Sequence, residues 1–314
     1  MSQEIIQHTP NDQPEPLPFP FSMRPFCRYE PIEKRIEAVR VLVVDDLLRD
    51  ESDLSELAFK EWGASVKTNL TRERKIAAMA VQNILNNIKR LVRQPETEVC
   101  HVSEVAEVAA RYRPQAIVMS GTLTDFDYYH PRIIENFGRF IRATRIPVLG
   151  ICGGHQLIGL GFGMRVITLD NHEQHERRAG RPFEYQYRFI RINAPEDPIF
   201  QGILDEESGV WQDYTHEARI LRVWQNHGLQ LDRMPEGFQL LATSYLCRIQ
   251  MMALRTDEQL IYAVQFHLEK SFQDWDDKNP TRWDHPNESR DGRIIFENFL
   301  REALTHVSHQ HVQA

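Results

Sequence analysis

A cysteine set between glycines is the residue of this 314-residue chain best suited to nucleophilic chemistry. Cys152 follows an apolar run, residues 147–151, that predicts a strand, and it precedes a segment with helical patterning. Gly150, Gly153 and Gly154 remove Cβ clashes and so permit a tight strand-to-helix turn. Such a turn would lift the thiol to the edge of a sheet, where helix-terminal amides favour the thiolate. Cys152 is therefore a candidate nucleophile that still needs a base.

A second segment, near the other end of the chain, offers that base. Residues 262–269 have an extended, β-prone pattern and end with His267 and Glu269. Side chains two residues apart on a strand share a face, so the imidazole and the carboxylate can lie side by side. A thiol that gives its proton to an imidazole, with a carboxylate orienting the ring, forms a catalytic triad. The triad requires the fold to bring the two segments together.

The two segments resemble the class I glutamine amidotransferase family, whose glutaminase domains carry a G-x-C-x-G-x-Q elbow and a later Q-F-H-x-E segment. The elbow is matched by Gly150, Cys152, Gly154 and Gln156. The later segment is matched by Gln265, Phe266, His267 and Glu269. Further matches extend the resemblance from about Val39 to about Leu304: an opening strand at 41–44, Met119-Ser120-Gly121, Glu184-Tyr185 and Asn226-His227-Gly228.

The resemblance also implies roles for residues outside the triad. It implies that the backbone N–H groups of Gly121 and Gly153 stabilise the oxyanion, and that Gln156, Ser120 and His227 contact the substrate. The chain departs from the family where Thr122-Leu123 replaces a Gly-Pro pair and where Leu268 replaces a proline. The first departure alters the backbone turn that would hold the oxyanion, whereas the second leaves the triad chemistry unchanged.

Alternating strand and helix patterns predict an α/β fold of the flavodoxin-like class I glutaminase type, with a mostly parallel central sheet and helices on both faces. Strands predicted at 41–45, 115–119 and 147–151 would bring Asp45, Ser120 and Cys152 to the carboxyl edge of this sheet. A smaller antiparallel strand set is predicted between 165 and 266. The predicted domain covers residues 39–304, after a Pro-rich arm at 1–38 and before a flexible tail at 305–314.

Residues 71–93 predict a helix inserted into this domain. Its apolar residues recur at intervals of four and three and form one seam: Ala77, Val81, Ile84, Ile88 and Leu91. Packing on its own domain is the simpler interpretation. A docking or dimerisation helix, which would imply a homo-oligomer, stays open. Residues 63–69 have a pattern that also suits the second strand, so the sequence leaves the order of strand and insertion open.

Composition excludes several classes of function. The formal net charge is −8 and no long basic block occurs, which argues against a nucleic-acid partner. No apolar run approaches the roughly 20 residues of a membrane span, and no signal peptide is recognisable. The four cysteines lack metal-binding spacing, and no metal site is expected. A thiolate nucleophile needs reducing surroundings, which favours the cytoplasm.

These observations predict an enzyme that hydrolyses the γ-carboxamide of glutamine through a γ-glutamyl thioester on Cys152 and needs no cofactor. In the family the released ammonia usually passes to a synthase domain or subunit, so the resemblance implies a separate synthase partner. Two alternatives remain open. One is a free-standing hydrolase of γ-glutamyl amides or peptides, and the other is a non-catalytic regulatory protein of the same fold, which the altered 120–123 turn would support.

Overall fold

The computed structural model describes residues 33–203, 219–270 and 290–313. The predicted Pro-rich arm therefore lies almost entirely outside the described residues. Within them, the strands run in the order β1 (Ile36–Asp45), β2 (Val92–His101), β3 (Ala116–Met119), β4 (Val148–Ile151), β5 (Val166–Thr168), β6 (Glu184–Ile192), β7 (Arg219–His227), β8 (Leu229–Leu231), β9 (Gln239–Thr243), β10 (Met251–Arg255) and β11 (Leu260–Val264).

The helices of the described residues occupy the connections and the end of the chain. They are α1 (Glu56–Trp62), α2 (Val66–Leu91), α3 (Val105–Tyr112), α4 (Pro131–Ala143), α5 (Gly153–Gly161) and α6 (Arg290–Gln313). Among the described residues, none of these helices combines the length and the apolar character that a membrane crossing requires.

Nine strands form one sheet in the order β2-β1-β3-β4-β11-β10-β9-β6-β7. The first five of these run parallel to one another. The remaining four pair antiparallel, and β5 with β8 makes a separate two-stranded sheet. The predicted fold class is confirmed, and most of the expected antiparallel strands extend the central sheet.

Both faces of the sheet are covered, as parallel strands require. Successive β1 residues alternate between two hydrophobic clusters: Val41 and Val43 belong to one, and Leu42 and Val44 to the other. The first cluster also contains the buried face of α6. The second contains buried residues of α1, α3, α4 and α5. We call these the α6 face and the α4 face.

The predicted helix at 71–93 is present but begins earlier, at Val66, and ends at Leu91. The alternative of a strand at 63–69 is wrong, since residues 63–65 form a 3₁₀ turn that leads into α2. The helix connects β1 to β2, which begins directly after it. It is thus part of the crossover between two parallel neighbouring strands. The helix is unusual for its length, and it is not an insertion into the domain.

The end of the chain differs from the expected flexible tail. Helix α6 continues to Gln313, so residues 305–313 belong to it. Hydrogen bonds tie this end to the domain, because the Gln310 amide donates to the backbone oxygens of Arg145 (3.3 Å) and Glu258 (3.1 Å). The polar residues from 305 onwards, whose composition predicts a flexible tail, therefore belong to a helix that packs against the domain.

Candidate active site

Cys152 lies in the turn between β4 and α5, as its neighbours in sequence predict. Its backbone has φ 51° and ψ −101°, a conformation that residues other than glycine rarely adopt. The Cys152 N–H donates to the Val264 oxygen (2.7 Å), which fixes the turn to the end of β11. The residue is 5% exposed. The strained turn therefore presents the thiol at the carboxyl edge of the sheet, next to the strand that leads to His267.

The glycines around the cysteine are required by close contacts. A Cβ on Gly150 would lie 2.5 Å from Ile158 Cδ1 and 2.8 Å from the Gly154 backbone. A Cβ on Gly153 would lie 2.3 Å from Thr122 Oγ1. Real Cβ atoms do not approach other atoms so closely. The glycine spacing of the elbow thus reflects how tightly α5 packs against β4 and the turn after β3.

His267 and Glu269 lie side by side, as the strand pattern predicts. His267 Nδ1 is 2.7 Å from Glu269 Oε1. The backbone of His267 is also fixed, because its N–H donates to the Trp224 oxygen (2.8 Å). His267 Nε2 and Glu269 Oε2 are buried without hydrogen-bond partners. The ring is therefore oriented by the carboxylate, and its second nitrogen is free to exchange a proton.

Gly121 joins the two halves of the site. A Cβ built on Gly121 would lie 3.2 Å from His267 Cε1, 3.4 Å from Cys152 Cβ and 3.9 Å from Cys152 Sγ. The cysteine, the imidazole and the turn after β3 therefore meet at one point. The His267 and Cys152 side chains are close enough to interact electrostatically.

The electrostatics favour a protonated imidazole. Burial lowers the pKa of His267, but the charges of Glu269 and Cys152 outweigh this effect and raise the pKa to about 10. Burial also opposes ionisation of Glu269, yet its interaction with His267 leaves the pKa of this carboxyl lowered. The arrangement can hold an imidazolium beside Glu269 and Cys152, which suits a base that later gives its proton to a leaving group.

The residues after β3 form the turn that contacts the cysteine. Ser120 is fully buried, and its hydroxyl accepts from the Asp46 N–H (3.1 Å) and donates to the Gly121 oxygen (3.1 Å). The Ser120 oxygen accepts from the Gly154 N–H (3.0 Å). These bonds use the Ser120 hydroxyl to shape the turn, and its expected contact with substrate stays a prediction. Thr122, where the family has glycine, packs directly on Gly153.

Gln156 is buried and bonded to protein groups. Its amide donates to the Leu229 oxygen (3.1 Å) and to Gln265 Oε1 (3.0 Å). The Gln265 amide in turn lies 3.7 Å from Cys152 Sγ in donor geometry. The expected contact of Gln156 with glutamine stays a prediction, and the observed bonds hold Gln265 against the thiol. In the sequence Gln265 stands out only as part of a motif, and its position two residues before His267 was the available signal for this role.

His227 belongs to a second buried cluster. Its Nδ1 faces the Leu229 oxygen (2.9 Å), while Nε2 faces Gln225 Oε1 (3.0 Å) and Glu184 Oε2 (3.0 Å). Cys247 lies beside this pair, and the ligand atoms of Glu184, His227 and Cys247 are within 4.8 Å of one another. Glu184 also accepts from the side chains of Ser244 (3.0 Å) and Gln250 (2.8 Å). The protein thus supplies hydrogen bonds to the Glu184 carboxylate and to both His227 nitrogens, and the expected contact of His227 with substrate stays a prediction.

Comparison with known proteins gives consistent matches. A family model described as "Glutamine amidotransferase class-I" matches residues 78–283. A glutamine-hydrolyzing GMP synthase subunit of Pyrococcus abyssi is 34% identical over 139 residues, which cover 44% of this chain and 56% of that protein. The chain thus spans a little over half the length of this relative. The protein of the same name from Methanothermobacter thermautotrophicus is 25% identical over 214 residues, covering 67% of this chain and 86% of that protein.

A solved structure shares the fold. The structure of a Thermoplasma acidophilum protein, described as a GMP synthase subunit, aligns with a TM-score of 0.53, covering 87% of this chain and 98% of that one. The two sequences are 21% identical, so this likeness concerns the architecture alone.

Proposed function

Because the chain belongs to the class-I glutamine amidotransferase family, we propose that it hydrolyses the γ-carboxamide of glutamine and supplies the ammonia to a separate synthase. The observation that carries this proposal is the meeting of a strained elbow cysteine, a His–Glu pair and Gly121 at one point. Cys152 would act as nucleophile, His267 as acid and base, and Glu269 as the group that orients the ring.

In the first half reaction, Cys152 Sγ attacks the γ-carbonyl carbon of glutamine. The oxyanion that forms would be stabilised by the N–H groups of Gly121 and Gly153, since Gly121 borders the sulfur and Gly153 directly follows the cysteine. His267 then gives its proton to the departing nitrogen, the C–N bond breaks, and ammonia leaves behind a γ-glutamyl thioester. The raised pKa of His267 is consistent with a ring that carries this proton before the bond breaks.

In the second half reaction, a water molecule attacks the thioester. His267 takes a proton from the water, the C–S bond breaks, and glutamate leaves while the thiol is restored. Gln265 would donate a hydrogen bond to the sulfur when it carries negative charge, before attack and again on departure. The thiol proton leaves with ammonia by way of His267, and a proton from the attacking water replaces it on the sulfur, so the cycle needs no reagent beyond water.

The names of the relatives support glutamine as the substrate and a synthase as the partner. A free-standing γ-glutamyl hydrolase is the second candidate, and it is favoured by Thr122, whose side chain on Gly153 departs from the glycine of the family. Cys152 must stay a reduced thiol for either reaction, so we place the protein in a reducing compartment such as the cytoplasm.

The test is the release of ammonia and glutamate from L-glutamine by the purified chain, with Cys152→Ala as control. A panel of γ-glutamyl amides and peptides is assayed in parallel. Turnover of glutamine that rises on addition of a synthase partner supports the proposal. Brisk turnover of a panel member, with poor use of glutamine, supports the free-standing hydrolase. Absence of turnover together with failure of a thiol-directed glutamine analogue to label Cys152 would refute both.

A further inference from the structure

Helix α2 crosses from one face of the sheet to the other. Near its start, Val66 and Leu70 pack in the α4 face. Towards its end, Ile84, Ile88 and Leu91 pack in the α6 face. The middle of the helix must therefore pass over the end of the sheet where β1 finishes. This is the carboxyl edge, at which the Cys152 turn also lies.

The middle of α2 is fixed to that edge by side-chain bonds. Arg74 pairs with Asp45, the last residue of β1, and donates to the Leu47 (3.1 Å) and Leu48 (3.3 Å) oxygens. One turn later, Ala77 is fully buried. The middle of α2 thus packs directly against the carboxyl edge of the sheet.

The first contact of α2 with the candidate site is at the turn after β3. Glu73 is 1% exposed, and its Oε1 accepts a hydrogen bond from the Thr124 hydroxyl. Thr124 follows the segment in which Gly121 borders Cys152 and Thr122 packs on Gly153. A bond at Thr124 therefore restrains the end of the turn whose amides would hold the oxyanion.

The second contact is at the triad carboxylate. The Asn87 amide is buried and donates to the backbone oxygen of Glu269 (2.7 Å) as well as to that of Asn83 (2.9 Å). The Glu269 side chain orients His267. The position of Asn87 thus affects the imidazole through one intervening residue.

The two contacts belong to one rigid element. Glu73 and Asn87 are separated by about four helical turns, or roughly 20 Å, and project from nearly the same side of α2. The helix between them carries the Arg74 anchor and the buried Ala77. A displacement at one end is therefore transmitted to the other.

We propose that Glu73 and Asn87 are positioning residues, through which α2 braces the oxyanion turn and the triad carboxylate against each other. This inference rests on the proposed function. It assigns α2 a part in catalysis beyond its place as a crossover helix, since misplacement of reacting groups by an ångström is enough to slow an enzyme by up to about 10²-fold.

The test compares Glu73→Ala, Asn87→Ala and the double variant with Gln82→Ala. Gln82 is an exposed α2 residue whose amide bonds Asn86, so its replacement controls for changing the helix surface. Each single variant is expected to lower kcat for glutamine hydrolysis by roughly tenfold to a hundredfold, with KM within about twofold of wild type. Glu73→Gln keeps an oxygen for Thr124 and is expected to restore kcat.

The double variant separates a brace from two local effects. If α2 couples the two contacts, removing the second contact after the first lowers kcat little further. The fold-loss of kcat in the double variant is then smaller than the product of the two single fold-losses. Losses that multiply, or single variants that behave like Gln82→Ala, overturn the inference.

A second measurement tests the inference without glutaminase activity. Absence of that activity in the wild-type chain would count against the proposed function and not against the inference. The rate of Cys152 alkylation by iodoacetamide is followed from pH 5 to 9. Asn87→Ala is expected to slow alkylation by about threefold or more near pH 7, because the imidazolium beside the thiol is no longer held in place. A pH–rate profile identical to that of Gln82→Ala overturns the inference.

Discussion

On one side of Cys152 lie His267 and Glu269, and on the other lies a network that runs from Gln265 through Gln156 to His227 and Glu184. In the first group, His267 Nε2 and Glu269 Oε2 are buried without hydrogen-bond partners. In the network, no buried side-chain nitrogen or oxygen of the described residues lacks a partner. Unsatisfied buried groups are costly, so a folded protein retains them where a substrate or a reaction step uses them. This difference supports the proposal that His267 and Glu269 carry the chemistry and that the network supports them.

The largest expected effect comes from removing the free nitrogen on the reactive side. His267→Gln keeps a polar side chain but cannot exchange the proton, and kcat for glutamine hydrolysis should fall by about 10⁴-fold or more. The unfolding midpoint should stay close to that of wild type. His172→Gln changes a half-exposed histidine and serves as the control. Retention of more than a hundredth of wild-type turnover would remove His267 from the proposed mechanism.

Substitutions in the supporting network should change the stability of the folded protein. Glu184 is the buried acceptor for Ser244 and Gln250 and lies 3.0 Å from His227 Nε2, so its removal leaves these buried groups without their partner. Glu184→Leu is expected to lower the free energy of unfolding by about 3–5 kcal/mol, measured by urea denaturation, because each unsatisfied buried group costs roughly 1–3 kcal/mol. The exposed Arg145–Glu258 pair provides the matched substitution, Glu258→Leu, which should leave stability unchanged. A similar small effect for both variants would contradict the contrast between the buried and exposed pairs.

A third expected effect depends on pH. Burial raises the pKa of Glu73 from 4.5 to about 7, although the Thr124 bond opposes this shift. The pKa of this carboxyl is thus 4.5 in the unfolded chain and about 7 in the folded protein, so between these pH values the folded state binds more protons. The stability that Glu73 contributes is therefore fully present below pH 4.5 and is lost as the pH rises through about 7. Glu73→Gln cannot ionise and should gain roughly 3 kcal/mol over wild type between pH 5 and pH 8.5.

The measurement is urea unfolding of both proteins at the two pH values. Glu135→Gln, on the exposed surface of α4, is the control and should show no such trend. A constant difference between Glu73→Gln and wild type at both pH values would show that Glu73 does not titrate in this range.

The two sides of the site also differ in how far sequence could predict them. Cys152, His267 and Glu269 were found because their chemistry is local: glycines permit the turn, and strand alternation pairs the last two residues. The alternating α/β pattern likewise predicted the parallel core of the sheet. These features depend on residues within a few positions of one another.

The contacts of α2 could not be predicted in this way. Asn87 meets Glu269 across 182 positions of the chain, and nothing in either local pattern indicates the pairing. The start of the helix was also misplaced, since the polar residues at 67–69 carry little apolar periodicity and are helical because Val66 and Leu70 pack beneath them.

Gln265 joins the two sides, and its replacement should have the smallest effect of the four. Its amide is satisfied by the network at Oε1 and directed at Cys152 Sγ through Nε2. Gln265→Met has a similar volume and removes the donor. A single donor at the long distance of 3.7 Å from sulfur is worth about 1.4 kcal/mol, so kcat should fall by about tenfold, and Cys152 alkylation should slow in parallel.

Gln156→Met separates the two roles of the amide, because it removes the bond that holds Gln265 without changing Gln265 itself. If Gln265 acts on the sulfur, both variants should slow alkylation, Gln265→Met by more. If Gln265→Met instead lowers the unfolding midpoint and leaves alkylation unchanged, the residue belongs wholly to the supporting side. The boundary between the reactive and the supporting groups would then lie at the sulfur itself.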